Sequence, residues 1–347
     1  MNNTGNGRLN NFDFLRIGAA LLVLISHQYA LNGLPEPAFL NSMSLGTLGV
    51  LIFFSISGFL VSQSWRQDPH IARFLAKRFL RIWPGLAAVT LIAAFVLGPL
   101  VSTLPWKAYF AHPELPDFLR NLKIVTIRYF LPGVFEQNVY PRAVNGSLWT
   151  IPLEVRCYFG LLVVGVLGLL KLPVLALAAT IAFAGYYFIL APDPNHYQYY
   201  FGLFFFAGVC LDLFRDRWTT RPGYLLGGLG LLAVGCYFAG MGRVGFLLLI
   251  PAVTVYIGGL STSVVRRAGR FGDISYGIYI YAFPVQQTVL WAWGKNLPFL
   301  PGLLLTIVIT TLCAYMSWHL VERPALSLKN RLGRRKTGDA QVATSQA

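Results

Sequence analysis

Residues 13–31 read DFLRIGAALLVLISHQYAL, a run in which only Asp13, Arg16 and His27 can carry charge. About 20 mainly apolar residues is the length of one helix across the hydrocarbon of a bilayer. The run follows a polar MNNTGNGRLNN and ends in HQYALNG, which offers no small-residue cleavage pattern, so it reads as a retained first span and not as a signal peptide. Working outward with the same criterion gives ten segments, at roughly 13–31, 45–64, 82–102, 147–169, 172–190, 198–214, 224–240, 243–260, 271–293 and 301–320. The one long outside connection, residues 103–146, mixes Trp106, Tyr109, Phe130 and Phe135 with proline and charge, and is read as the shaping of an external mouth. No linker separates a second soluble domain. The expected fold is therefore all-α: a polytopic membrane helix bundle of about ten transmembrane helices, with residues 1–330 as one membrane-embedded domain and 331–347 as a short basic, then polar, cytoplasmic tail.

Composition supports this reading. Of 347 residues, 56% are hydrophobic and 12% charged, where a soluble domain carries roughly 25% charged residues. A mean hydropathy of +0.58 over that length excludes an ordinary soluble enzyme, a disordered chain and a disulfide scaffold. The 28 Lys and Arg against 13 Asp and Glu leave a net charge of +15. In a soluble protein that excess suggests nucleic acid; in a membrane protein it first means basic residues retained on the cytoplasmic side. With the amino terminus inside, 20 of the 28 basic residues fall on the inner side and seven on the outer. Both termini are then cytoplasmic, no nucleic-acid partner is expected, and membrane lipids are. Cys157, Cys210, Cys236 and Cys313 stand singly with no C-x-x-C and no histidine at ligand spacing, so neither a disulfide framework nor a metal site is expected.

Ionisable groups inside spans are costly and mark function. Arg16 and His27 are eleven residues apart, within about 20° of one helix face and separated by about 16 Å along it. Asp13 offers Arg16 a local partner. Glu154 in NGSLWTIPLEVRCYF lies about 10 Å below the outer end of its span, a depth close to that of His27. Two titratable groups at one level make a candidate pair in which the carboxylate orients the imidazole and stabilises its charged form. Arg156 points about 200° away from Glu154 and is not its natural partner. In WRQDPHIARFLAKRFLRIWPG, Arg73, Lys77 and Arg81 recur every four residues with Arg78 beside them, a cationic stripe at the cytoplasmic surface. That stripe serves lipid anchoring or a phosphorylated ligand. A basic cluster, then Arg16, then a histidine deeper on the same face suits a long phosphorylated carrier with a reactive tip, of which coenzyme A is an example.

These residues resemble the acyltransferase 3 family of bacterial membrane O-acyltransferases over almost the whole chain. Arg16 and His27 match its R-x10-H signature, FFSISGFLVSQSW its F-F-x-x-S-G-F-L element, and Arg78 with Arg81 its R-x-x-R. SLWTIPLEVRCYF, carrying Trp149 and Glu154, resembles its W-S-L-x-x-E-x-x-F-Y block, and ISYGIYIYAFP and VERPAL resemble its closing motifs. Four positions depart from it: Val155 replaces a second acid, Arg156 a common glutamine, Cys157 a common phenylalanine, and Ala282 a histidine in span nine, so no catalytic role is carried onto that span. Ser57, Gly58 and Phe59 are read first as a small-residue packing site.

The resemblance implies transfer of an acyl group, most often acetyl, from cytoplasmic acyl-CoA to a hydroxyl of a carbohydrate or lipid-linked glycan at the bacterial inner membrane. His27 and Glu154 would be catalytic, Arg16, Arg78 and Arg81 would bind acyl-CoA, and Trp149 would contact the acceptor. Acyl-CoA acts as co-substrate with no bound cofactor. The membrane domain completes transfer itself or hands the acyl group to a separate extracytoplasmic transferase partner. The alternative from residues alone is a secondary transporter with an intramembrane His/Glu/Arg site; against it stand the lack of an inverted repeat and the gathering of charge at one end of the chain.

Overall fold

A computed structural model describes residues 10–190, 197–262, 265 and 272–329. Arg8, the basic group at 266–270 and the tail expected over 331–347 lie outside the described residues. The helices are α1 (Phe12–Leu31), α2 (Leu45–Gln67), α3 (Ile71–Ile92), α4 (Gly98–Val101), α5 (Trp106–Ala111), α6 (Glu114–Phe118) and α7 (Thr150–Val166). They continue as α8 (Pro173–Gly185), α9 (Tyr197–Leu213), α10 (Arg215–Trp218), α11 (Pro222–Phe238), α12 (Gly242–Gly259), α13 (Ser275–Trp293) and α14 (Phe299–Ser317). A two-residue hairpin, Ala38–Phe39 with Met43–Ser44, precedes α2. Each of the ten apolar segments is helical, and among the described residues six helices are long and apolar enough to cross a membrane.

The third segment differs from expectation. The basic stripe and the apolar run form one helix from Ile71, which passes through a π-helical turn at Ala93–Leu97 into α4. The break falls at Asp68–Pro69–His70, where proline cannot continue α2 and the His70 ring accepts from Arg73 N at 3.4 Å to start α3. The π turn itself is held by Tyr109, whose hydroxyl donates to Ala94 O at 2.8 Å.

Two small-residue contacts set the bundle. A Cβ on Gly46 would lie 3.0 Å from Ser26, and one on Gly49 would lie 3.0 Å from Val23, while Phe12 packs on Phe59 with ring centroids 5.7 Å apart. This antiparallel register of α1 and α2 places Ser57 at the level of Leu15 and Arg16. Across the other face of α2, Gly58 sits against the Phe205 carbonyl of α9 and Gly208 of α9 against the Ser55 carbonyl. The backbones there touch directly.

The long connection is folded. Tyr109, Leu115, Phe118, Leu131, Val134, Phe135 and Val144 form a separate apolar core against the end of α3. It joins the bundle through Asn145. Pro284 in α13 cannot bond the carbonyl four residues earlier, and Asn145 Nδ2 donates to that Ile280 oxygen at 2.8 Å. The same side chain accepts from Ser147 N at 3.2 Å, which starts the 3-10 turn Gly146–Trp149 ahead of α7.

Candidate functional site

A cavity of about 380 Å³ opens between α1, α2, α3, α7 and the start of α13, with Arg16, Ser57, Arg78, Arg81, Glu154 and Tyr158 on its wall. Three of the expected cations thus converge from two helices. Arg16 Nη1 lies 3.2 Å from Asp273 Oδ2 and 3.7 Å from Asp13, and Arg81 Nη2 lies 2.7 Å from the same Asp273 oxygen. Ser275 Oγ donates to Asp273 Oδ1 at 2.6 Å.

The stripe read from the sequence divides into paired and unpaired members. Arg73 and Lys77 both bond Asp68, Lys77 at 2.7 Å, so they close the α2–α3 corner. Arg78 lies off the stripe and faces the cavity, its guanidinium 5.9 Å from the Phe74 ring and 5.7 Å from that of Tyr158. Its Nε is buried without a hydrogen-bond acceptor. A guanidinium on a cavity wall with a buried N–H left over can donate to an anion.

Glu154 belongs to this cavity and not to His27, which corrects the pairing expected from depth along the spans. Its carboxylate accepts from Ser57 Oγ at 2.9 Å and from the Tyr158 hydroxyl. Ser57 stands opposite Leu15 and Arg16, so Glu154 lies toward the Arg16 end of α1 and bonds on that side. Arg156, as its angular position implied, is turned away and bonds Gln198 at 2.9 Å.

His27 occupies the opposite end of the same α1 face. Ser147 Oγ is 3.5 Å from its Nδ1, and Phe283 meets the ring edge-on with centroids 5.4 Å apart. Glu36, which accepts from Ser26 Oγ, lies within Coulombic range. Between the two regions stands Tyr279, on the cavity wall, with its hydroxyl 2.7 Å from Thr150 Oγ1 and 2.8 Å from Ser147 O. Trp149, expected at an acceptor, is packed edge-on by Tyr197 and Phe201 at 5.4 and 5.3 Å.

Four of these residues escaped the sequence reading. Asp273 precedes α13, and its one signal in the sequence is its place just before ISYGIYIYAFP. Ser147 and Asn145 stood in NGSLW, where they read as a helix start. Tyr279 stands in ISYGIYIYAFP, the span onto which no catalytic role is carried.

The acyltransferase domain family matches residues 9–319. The chain is 32% identical over 331 residues to a protein of Shigella phage Sf6 named O-acetyl transferase, covering 92% of this chain and 96% of that one. It is 28% identical over 387 residues to nodulation protein 10 of Rhizobium leguminosarum bv. viciae, covering 96% and 98%. It is 33% identical over 103 residues to the acyltransferase MdmB of Streptomyces mycarofaciens, covering 28% and 27%. No solved structure matched. Matched by this family from residue 9 to residue 319 and 32% identical over most of its length to an O-acetyl transferase, the chain is an O-acetyltransferase-like enzyme and belongs to the acyltransferase 3 family.

Proposed function

We propose that the protein transfers an acyl group, acetyl in the first instance, from acyl-CoA to a hydroxyl of a carbohydrate or lipid-linked glycan. The donor enters from the cytoplasmic side at Arg16, Arg78 and Arg81, and the acceptor meets it near His27 from the other face of the bacterial inner membrane. One observation carries the reading: a cavity with three guanidinia, one of them holding an unused buried donor, opens on the α1 face that also bears His27 about 16 Å away. The pantetheine arm of coenzyme A is of that order.

The chemistry needs a base, because a sugar hydroxyl is a weak nucleophile at neutral pH. With Nδ1 facing Ser147, Nε2 is the nitrogen left for reaction. In direct transfer Nε2 takes the hydroxyl proton as the oxygen bonds to the thioester carbonyl carbon. The C–S bond then breaks and the leaving thiolate recovers the proton. In a relay, Nε2 attacks the carbonyl itself and expels the thiolate, and the acceptor hydroxyl then displaces imidazole from the acyl-histidine, its proton passing through the released imidazole to the thiolate. The relay suits substrates arriving from opposite faces. Glu154 contributes from the donor cavity, where it holds Ser57 and Tyr158 beside Arg78. Trp149 steadies the turn that carries Ser147. An external transferase partner, where present, would receive the acyl group at the His27 end.

Purified protein in liposomes with acetyl-CoA tests this. His27→Ala should abolish transfer and leave donor binding in place. Near wild-type acylation by that variant would overturn the mechanism, and an acylated His27 trapped by mass spectrometry without acceptor would select the relay.

A further inference from the structure

We infer that Asp273 is a positioning residue of the donor site, fixing Arg16 of α1 and Arg81 of α3 as a preset pair that receives a phosphate group of the carrier. The inference rests on the donor reading above. One carboxylate oxygen, Oδ2, meets both guanidinia, at 3.2 Å and 2.7 Å, so the two cationic nitrogens stand no more than about 6 Å apart. Like charges at that separation repel, and the pair holds together because the carboxylate lies between them. Ser275 occupies Oδ1, which stops the carboxylate from rotating and keeps Oδ2 toward the arginines. Each guanidinium has five N–H donors, and Asp273 engages one nitrogen of each, so donors remain to face the cavity. Arg78, bonded to no carboxylate among the described residues, completes the cradle from one turn further back on α3. Fixing the fork before the ligand arrives lowers the ordering cost of binding.

Charge counting and positioning give opposite signs for one variant. Asp273→Asn removes a negative charge from an anion site, so if total charge governed, the donor would bind more tightly. If Asp273 positions, the arginines splay and binding weakens. Calorimetric titration of purified full-length protein with coenzyme A, and steady-state acetyl transfer, measure both. The expected result for Asp273→Asn is at least a tenfold rise in Kd and in the donor KM, with kcat at saturating donor within twofold of wild type. Asp273→Glu, which keeps the charge, should recover part of the affinity. Ser275→Ala, which frees the carboxylate to rotate but removes no charge, covers the case in which Asp273→Asn does not fold; it should raise Kd about threefold with the melting temperature of the empty protein unchanged. Equal or tighter binding by Asp273→Asn, or an unchanged Kd for Ser275→Ala, overturns the inference. Wild-type protein that does not bind coenzyme A overturns the donor reading instead, so the two failures are distinct.

Discussion

Gly58→Ala perturbs the point where the bundle and the donor cavity meet. An added Cβ would lie 1.8 Å from the Phe205 carbonyl oxygen and 2.7 Å from its carbon. A comfortable carbon–oxygen contact is roughly 3.3 Å, so α2 and α9 must separate by about 1.5 Å. The obstacle is helix backbone, which cannot swing aside as a side-chain tip could. Inserting one methyl group into a tight core costs about 1–3 kcal/mol, and a backbone-on-backbone contact belongs at the upper end. The shift also carries Ser57, the adjacent residue, away from Glu154, whose hydrogen bond to it is 2.9 Å; losing that bond costs about 1 kcal/mol more. The assay is thermal unfolding of detergent-solubilised protein followed by intrinsic fluorescence, with donor titration on the same sample. The expectation is a melting temperature lower by several degrees, on the order of 5 °C, together with weaker donor binding. Gly18→Ala is the control: no atom lies within 4 Å of its added Cβ, and alanine favours the helix by about 1 kcal/mol. Gly58→Ala protein with wild-type melting and wild-type donor affinity would refute the claim that direct contact of α2 and α9 sets the cavity.

Three further outcomes are expected. Glu154→Gln should raise the donor KM more than it lowers kcat, because Glu154 holds Ser57 and Tyr158 in the donor cavity and does not touch His27; a fall confined to kcat, read from initial rates at varied acetyl-CoA, would return it to the histidine. Tyr279→Phe deletes the hydroxyl that bonds Ser147 O and Thr150, and should lower kcat about tenfold with donor Kd unchanged, as the turn facing His27 loosens. Asp212→Ala removes the buried partner of Ser62 at 2.7 Å and of Arg66 at 3.2 Å; leaving Ser62 unsatisfied should cost about 1–3 kcal/mol in thermal unfolding, with kcat of the surviving folded protein near wild type.

What the sequence by itself determined is everything that depends on a single helix or on the solvent. Apolar runs of bilayer length need a low-dielectric surrounding, and each of the ten is helical in the structure. The fixed rise and rotation of a helix put Arg16 and His27 on one face of α1 before any tertiary contact was known. The same rotation turned Arg156 away from Glu154, and the small residues of SISGF announced a close crossing, which Gly58 makes against α9. Only the tertiary structure decided which groups meet between helices. Glu154 went to Ser57 because α2 packs on α7 at that level, and which helix packs there is not encoded in the spacing along α7. Asp273 reached Arg16 across 257 positions of chain from a place before its helix, where no periodicity assigns a face. Asn145 reached the Ile280 carbonyl across 135 positions because Pro284 left that oxygen free, a need that arises on one helix and is met from another segment. Local backbone geometry fixes spacing along an element, whereas the partner of a buried charge is chosen by packing among all of them, and so the line from Arg16 to His27 could be read from the sequence while the acid that holds Arg16 could not.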